Sequence, residues 1–179
     1  MAREKRIDMV ILGLLSHEER SGYDIKKQID GAISFFWKGS FGNIYPALKD
    51  LESGGLIERN ASNSGPREKH TYRITEAGAE ALKQWLRNEQ SVNELRYETL
   101  LKLFFSGCDD RKTALKNIAA FRKKVEADLA ILKGYAANLE KVREESADHT
   151  YYYLTALFGI KSYEAYLEWC ETAEKTIKS

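Results

Sequence analysis

Residues 40–59 read S-F-G-N-I-Y-P-A-L-K-D-L-E-S-G-G-L-I-E-R, and this stretch decides the fold. Ile44, Leu48 and Leu51 recur at helical spacing, so we expect them to face a core. Gly54 and Gly55 supply a left-handed cap that ends the helix, and the next two residues begin a strand. The pattern is typical of the recognition helix of a winged helix-turn-helix, which enters a major groove.

The residues before this helix predict two more helices of the same domain. Apolar spacing over residues 7–15 indicates a first helix, and a capping box at Ser21 and Asp24 opens a second. The buried side of the second helix is expected to carry Ile25, Ile29 and Ile33. Pro46 fixes the start of the third helix at about residue 42 or 43, because a proline deep in a helix clashes with the preceding turn.

The residues after this helix predict a two-stranded wing and a fourth helix. The strands cover residues 56–60 and 69–74 and are joined by A-S-N-S-G-P-R, a turn-rich tip. Thr75 caps the fourth helix. The expected buried stripe of that helix consists of Ala81, Leu82, Trp85 and Leu86. A linker at residues 88–91 closes a first domain at residues 1–90.

The second half, residues 91–179, contains almost no strand signal and is predicted to be a helical domain. One helix runs up to Gly107, and Asp109 or Asp110 caps a long helix after it. That long helix carries an apolar residue every seven positions, at Ile118, Val125, Leu132 and Leu139, and Leu115, Phe121, Leu129, Ala136 and Val142 fill the stripe. A turn at residues 147–150 leads to a last helix with one apolar face, formed by Tyr153, Leu157, Ile160, Leu167 and Cys170. Two antiparallel helices with exposed apolar seams indicate a homodimer.

Composition limits the class of protein. The chain has 179 residues, of which 43% are hydrophobic, enough to bury the core of one domain or of two small ones. Two cysteines, Cys108 and Cys170, are too few for a disulfide framework, which fits a reducing compartment. The charged N-terminus lacks an export signal, and no apolar run reaches membrane-spanning length. We therefore expect a soluble, cytoplasmic protein.

The charge pattern is more informative than the net charge of +1. Residues 31–49 contain no acidic side chain but include two lysines. The basic residues around the second wing strand are Arg59, Arg67, Lys69, His70 and Arg73, with only Glu58 and Glu68 among them. This distribution predicts a locally positive face on a neutral protein. The alternative is that these are ordinary solvated side chains.

The sequence carries no pattern that indicates catalysis or a cofactor. His17, His70 and His149 are scattered and indicate no metal site. Serine, cysteine and histidine residues stand outside any catalytic motif, and no glycine-rich phosphate loop follows a strand. We expect no enzymatic activity.

Several short motifs closely resemble the PadR family of bacterial transcriptional regulators. They are I-L-G-L-L at 11–15, S-G-Y-D-I at 21–25, G-N-I-Y-P-A-L-K-D-L-E at 42–52, G-L-I at 55–57 and Y-R-I-T-E-A-G at 72–78. The match covers roughly the first half, and the second half resembles the longer helical domain of the subfamily related to virulence activators and phenolic-acid-responsive repressors. The resemblance implies a dimer built by the C-terminal helices, binding an inverted-repeat operator, usually as a repressor released by a small molecule.

The resemblance also implies the DNA-contacting residues. Tyr23 falls where the family has an aromatic residue that faces the DNA backbone. The recognition-helix positions expected to meet base edges and phosphates are Ser40, Asn43, Tyr45, Pro46 and Lys49, and Arg67 and Lys69 lie where the wing approaches the minor groove. Asn43 stands where a threonine is frequent in the family, which affects base specificity rather than the docking mode. The alternative to a DNA contact is that Tyr45 packs on the helix surface and that Lys49 is an ordinary solvated lysine.

An aromatic effector site is predicted at the junction of the two domains, because 11% of the residues are aromatic and several of these rings lie in segments expected to meet near the linker. The family resemblance also implies release by phenolic or drug-like compounds. Its residues are Phe36, Trp37, Tyr97, Tyr151, Tyr152 and Tyr153. Phe35, Phe36 and Trp37 could instead belong to the core, while three consecutive tyrosines cannot all face one way on a helix. The overall interpretation is a DNA-binding regulator released by a small aromatic effector; the alternative is a winged-helix module that binds a protein.

Overall fold

The computed structural model describes residues 5–37, 44–62, 69–91, 93 and 96–179. Its backbone falls into two units, Met1–Asn93 and Glu94–Ser179. The first is a winged helix, and the second consists of helices, so the mainly α fold with an N-terminal winged helix-turn-helix is confirmed.

The described residues of the first unit form four α-helices, a short 3-10 helix and a small sheet. In chain order the elements are α1 (Lys5–Leu15), β1 (Arg20–Ser21), α2 (Gly22–Asp30), the 3-10 helix (Ala32–Phe35), α3 (Ile44–Ser53), β2 (Ile57–Ser62), β3 (Lys69–Ile74) and α4 (Glu76–Arg87). The sheet is antiparallel with the order β1-β3-β2. Glu58 stands opposite Arg73 in the β2–β3 register.

The start of α2 agrees with the predicted capping box. The Asp24 amide donates to Ser21 Oγ over 3.2 Å, and the Ser21 amide donates to Asp24 Oδ2 over 3.3 Å. The Ser21 hydroxyl donates to the same carboxylate over 2.6 Å. Amides that the first helical turn leaves unpaired are thereby satisfied, which fixes the point where the chain enters α2.

The end of α3 is a Schellman motif. The Leu56 amide donates to the Leu51 carbonyl over 2.9 Å, and the Gly55 amide donates to the Glu52 carbonyl over 3.0 Å. Gly55 has a φ of +69°, the left-handed conformation that glycine adopts without a steric penalty. The predicted glycine cap is confirmed at Gly55, and the chain then turns directly into the wing.

The start of α4 closes against this same turn. Thr75 Oγ1 accepts from the Gly78 amide over 3.1 Å and donates to the Gly55 carbonyl over 2.7 Å. A Cβ at Gly78 would lie 2.1 Å from the Leu56 carbonyl oxygen, so this position requires glycine. The predicted Thr75 cap is confirmed, and it joins α4 to the α3–β2 turn.

The core of the first unit is fully enclosed. Its buried apolar residues are Ile11, Leu12, Leu15, Ile25, Ile29, Ile44, Ala47, Leu48, Leu51 and Ile57, contributed by α1, α2, α3 and β2. Six of them are exposed by 1% or less, as expected for a close-packed interior.

The second unit is dominated by two long helices. Its elements are α5 (Glu98–Phe104), a 3-10 turn (Ser106–Cys108), α6 (Arg111–Val142) and α7 (Ala147–Lys178). Asp110 caps α6, since its carboxylate accepts from the Thr113 amide over 2.7 Å. The helices α6 and α7 are antiparallel, because early α6 pairs with late α7: Arg122 lies 3.2 Å from Glu174.

The seven-residue apolar repeat of α6 forms its buried seam. Ile118, Val125 and Leu132 are exposed by 0, 3 and 4%, and Leu139 is half-buried. A Cβ at Gly159 of α7 would lie 3.0 Å from Leu132 Cδ1, so the two helices approach closely there. Most of this seam is therefore covered within the unit by α7.

Five predictions about the fold are wrong in detail. The helix predicted to run up to Gly107 ends at Phe104 as α5, and a 3-10 turn follows it. The helix α2 ends at Asp30 because Gly31 leaves the helical region, and Ile33 lies in the 3-10 helix that follows. The sheet has a third strand, β1, where the sequence predicted only the two-stranded wing. The strand β2 covers Ile57–Ser62 rather than 56–60, since Leu56 belongs to the cap. Residues 147–150 form the first turn of α7, where Ser146 is the N-cap.

The predicted buried stripe of α4 is only half correct. Ala81 and Leu82 pack against the core, but Trp85 is 48% and Leu86 66% exposed. The helix packs on the core through its first half, and its last turns extend past that contact.

Candidate nucleic-acid interface

The helix α3 separates a buried face from an exposed one. Ile44, Ala47, Leu48 and Leu51 are buried, as their spacing predicted, although the sequence analysis did not place Ala47. The opposite face exposes Tyr45, Pro46 and Lys49, with Tyr45 63% exposed. Because residues 38–43 lie outside the described structure, only the helix from Ile44 onward is observed.

Pro46 fits this face without distorting the helix. It is the third residue of α3, in the first turn, where amides have no carbonyl partner within the helix. A proline there removes no hydrogen bond. The rigid ring therefore fixes the first turn of α3 while remaining exposed.

Tyr45 lies against the start of α2. A Cβ at Gly22 would lie 3.0 Å from Tyr45 Cε1 and 3.6 Å from Tyr45 Cδ1. The ring thus packs on one side while most of its surface is open. Tyr23, which follows Gly22 in the chain, is 69% exposed. The contact with Gly22 was not predicted from the sequence, where its only signal is a glycine directly after the Ser21 cap.

In the described part of the wing, one of the predicted basic residues is paired with a carboxylate. Arg73 Nη2 donates to Glu58 Oε2 over 2.6 Å and its Nε donates to the same oxygen over 3.0 Å. The hydrogen bond and charge of Glu58 raise the pKa of the exposed Arg73 guanidinium. Glu19 accepts from Asn60 Nδ2 over 3.0 Å and from Thr71 Oγ1 over 3.3 Å. The positive charge of Arg73 is therefore largely balanced on this sheet.

Part of the predicted interface lies outside the described residues. Ser40, Asn43 and Arg67 fall in segments that the structure does not describe. Lys69 is observed as the first residue of β3, where it stands opposite Ser62, but only its backbone is described. The described side chains of the predicted interface are therefore those of Tyr23, Tyr45, Pro46 and Lys49.

The predicted effector residues fall in both units. In the first, Phe36 is 57% exposed and Trp37 is half-buried just after the 3-10 helix. In the second, Tyr151 and Tyr152 are 64 and 46% exposed. Tyr153 is half-buried, with the guanidinium of Arg143 5.7 Å from its ring centroid. The three consecutive tyrosines thus face different ways, as expected for a helix.

Tyr97 belongs to an aromatic cluster inside the second unit. Its ring centroid lies 5.5 Å from that of Tyr166 and 6.2 Å from that of Phe121. The Tyr97 and Tyr166 hydroxyls share a hydrogen bond. Burial, and then this hydrogen bond, raise the pKa of Tyr97 strongly. An open cleft of about 440 Å³ is lined by Arg96, Tyr97, Glu98 and Leu101.

In the part of the chain that the structure describes, no group of three His, Cys, Asp or Glu side chains could hold a metal ion. The described helices include none that is long and apolar enough to cross a bilayer.

A winged helix with an exposed third helix, followed by a unit of long antiparallel helices, is the architecture of a winged-helix transcriptional regulator. The model of the transcriptional regulator PadR-like family matches residues 11–84, and that of the virulence activator alpha C-terminal region matches residues 95–178. The negative transcriptional regulator PadR of Bacillus subtilis is 32% identical over 168 residues, covering 90% of this chain and 92% of that protein. The chain belongs to the PadR-like family of transcriptional regulators.

Solved structures agree with this assignment. The crystal structure of Bacillus subtilis PadR in complex with operator DNA matches with a TM-score of 0.81 at 30% identity, covering 95% of this chain and 98% of that one. The same protein in complex with p-coumaric acid matches with a TM-score of 0.74 at 29% identity, covering 97 and 99%.

Proposed function

We propose that this chain is a repressor that binds an inverted-repeat operator as a homodimer and is released by a small aromatic effector. The observation that carries the proposal is the exposed face of α3, Tyr45, Pro46 and Lys49, on a fold shared with a PadR that was crystallised on operator DNA. The similarity to a regulator named as negative supports repression. These findings favour DNA over a protein as the ligand of α3.

In this proposal the α3 face supplies both specific and general contacts. Tyr45 meets base edges, with Ser40 and Asn43 beside it in the chain, because the first turn of a recognition helix enters the major groove. Lys49 and Tyr23 meet the phosphate backbone, which gives affinity without sequence preference. Pro46 shapes the first turn of α3, and Arg67 and Lys69 of the wing reach the minor groove.

The second half, residues 91–179, forms the dimer, and residues 1–90 bind DNA. The support is the apolar surface that the second unit leaves in solvent. On α5, Phe104 is 82% and Leu101 59% exposed; on α7, Phe158 is 71% and Leu154 52% exposed. Apolar side chains grouped in this way are typical of an interface. A two-fold dimer then imposes two-fold symmetry on the operator.

The effector is a planar aromatic acid that binds at the cleft beside Tyr97. The cleft of about 440 Å³ has the size of a small-ligand site, and it places the arginine Arg96 beside the aromatic Tyr97. A guanidinium can form paired hydrogen bonds with a carboxylate, and an aromatic side chain can stack on a ligand ring. The p-coumaric acid bound to the related PadR has both groups, a carboxylate and an aromatic ring. Further candidates for the effector site are Tyr151, Tyr152 and Tyr153. The participation of Phe36 and Trp37 stays a prediction.

The effector releases DNA by favouring a dimer geometry that no longer fits the operator. It shifts that equilibrium only by the difference between its affinities for the two geometries. The chain has no enzymatic role and needs no cofactor for this function, and it acts in the bacterial cytoplasm, where its operator lies.

Selection of DNA by the full-length protein tests the proposal. A random-sequence pool is passed over the purified chain for several rounds, and the retained duplexes are sequenced. We expect an inverted repeat whose half-sites are separated by about one helical turn or a multiple of it. Retention of no common sequence, together with binding that is insensitive to salt, would instead support a protein-binding module.

A further inference from the structure

Gly22 is the buried first residue of α2, and it contacts two side chains of α3. A Cβ built on it would lie 3.0 Å from Tyr45 Cε1 and 3.3 Å from Leu48 Cδ1. Carbon atoms in ordinary contact are about 3.5–4.0 Å apart. No larger side chain fits here unless one of these two neighbours moves.

The glycine at this position is required for space and not for backbone conformation. Among the described residues only Gly55 has a positive φ, so the backbone of Gly22 is one that alanine adopts readily. Gly22 also lies in the first turn of a capped helix, where alanine is a good helix former. A methyl group at this position therefore acts through its neighbours in α3.

The two neighbours differ in their freedom to move. Leu48 is 1% exposed and enclosed in the core, whereas Tyr45 is 63% exposed. Moving Leu48 would strain a close-packed interior, but the tyrosine ring can swing outward into solvent. A methyl group at position 22 would thus push the Tyr45 ring outward by a few tenths of an ångström, with a smaller adjustment at Leu48, and leave the fold intact.

We propose that Gly22 is a positioning residue for operator recognition, which seats the Tyr45 ring at the start of α3. The inference rests on the proposed function, because it gives the seated ring a role in binding DNA. A side chain held in its bound orientation loses less conformational freedom on binding than a freely rotating one. The sequence S-G-Y-D therefore does more than begin α2: its glycine sets the surface that α3 presents.

A double-mutant cycle on the full-length protein tests this inference. Gly22→Ala, Tyr45→Ala and the double variant are titrated with the duplex selected from the random pool, and thermal unfolding is followed for each. We expect Gly22→Ala to weaken binding about tenfold and Tyr45→Ala about ten- to a hundredfold. In the Tyr45→Ala background, the Gly22→Ala change should alter binding by less than about twofold.

Gly13→Ala is the matched control, since a Cβ at Gly13 of α1 meets nothing within 4 Å. It should leave the operator affinity unchanged. The unfolding temperature should be unchanged or slightly higher. Gly22→Ala should unfold within a few degrees of the wild type, because the ring yields rather than the core.

Each other outcome overturns a distinct statement. Equal losses from Gly22→Ala in both backgrounds, or an unfolded Gly22→Ala protein, would show that the glycine acts on the core and not through Tyr45. An unchanged affinity for Tyr45→Ala would remove the ring from the interface and with it this inference, while leaving the proposed function in place. Failure of the wild type to select any sequence would overturn both.

Discussion

The two units of the chain differ in how completely they bury their large apolar side chains. The first encloses Ile11, Leu12, Ile25 and Ile29 completely, whereas the second leaves Phe104 82% and Phe158 71% exposed. Apolar burial supplies most of the stabilisation of a fold, at about 25 cal/mol per Å². The first unit thus has an enclosed core, although Trp85 and Leu86 at the end of α4 remain exposed, while the apolar surface on α5 and α7 of the second supports the proposed dimer.

The largest expected effect is loss of the first unit's fold on Gly78→Ala. A Cβ there would overlap the Leu56 carbonyl oxygen at 2.1 Å, and both groups belong to backbone that cannot rotate away. We expect a loss of about 3 kcal/mol or more in unfolding free energy, measured by urea denaturation of the full chain. Ala79→Gly, a change of comparable size on the same turn, should cost no more than about 1 kcal/mol. Equal stability of Gly78→Ala and the wild type would contradict the observed packing of α4.

The next effect concerns the second unit. Phe104→Glu places a charge in the proposed dimer surface and should cost roughly 2–3 kcal/mol per copy of the side chain, enough to yield monomers at micromolar concentration. Phe104→Leu is the control, because it keeps the surface apolar and should remain dimeric. Sedimentation velocity distinguishes the two. A Phe104→Glu protein as dimeric as the wild type would exclude α5 from the interface.

A smaller effect is expected inside the second unit at high pH. Burial and the Tyr166 hydroxyl raise the pKa of Tyr97 above its unfolded value, so the folded state retains this proton more strongly. Its contribution to stability is present below about pH 10 and is lost as pH rises through the folded pKa. Tyr97→Phe should cost about 1 kcal/mol at neutral pH and reduce the alkaline loss of stability. Tyr151→Phe, at an exposed position, is the control, and an identical alkaline profile in both variants would refute the role of Tyr97.

The smallest effect is expected on the wing. Arg73 and Glu58 form an ion pair at 2.6 Å, but their side chains are 56 and 53% exposed. Water and salt screen such pairs, so Arg73→Gln should leave the unfolding temperature almost unchanged. A fall of several degrees in calorimetry would show that the wing depends on this pair.

Local signals were sufficient to predict much of the first unit. The Ser21–Asp24 box, the Thr75 cap and the Gly55 cap each depend on a few neighbouring residues, and all three are confirmed. The strand β1 was missed because two residues carry no periodicity. The exposure of Trp85 was missed because an apolar stripe does not reveal how long its partner is.

The candidate interface was predictable in type but not in detail. Helical spacing separated the buried Leu48 from the exposed Tyr45 and Lys49. The contact between Gly22 and Tyr45 was not predictable, because it joins residues from two helices and depends on their packing. The dimer surface was predicted as the apolar seams of the two long helices, yet the most exposed apolar residues described in the second unit, Phe104 and Phe158, lie on α5 and α7, since α7 already covers much of the α6 seam.

The most direct test of the α3 interface is the salt dependence of binding to the selected duplex. Affinities of the wild type and of Lys49→Ala are measured by fluorescence anisotropy between about 50 and 200 mM salt. If α3 binds DNA, the wild type should show a steep linear loss of affinity with log salt, and Lys49→Ala should lower that slope by about one unit per contact. Identical slopes for the two proteins would contradict a phosphate contact at Lys49, and a flat slope for both would contradict the proposal that this face binds DNA.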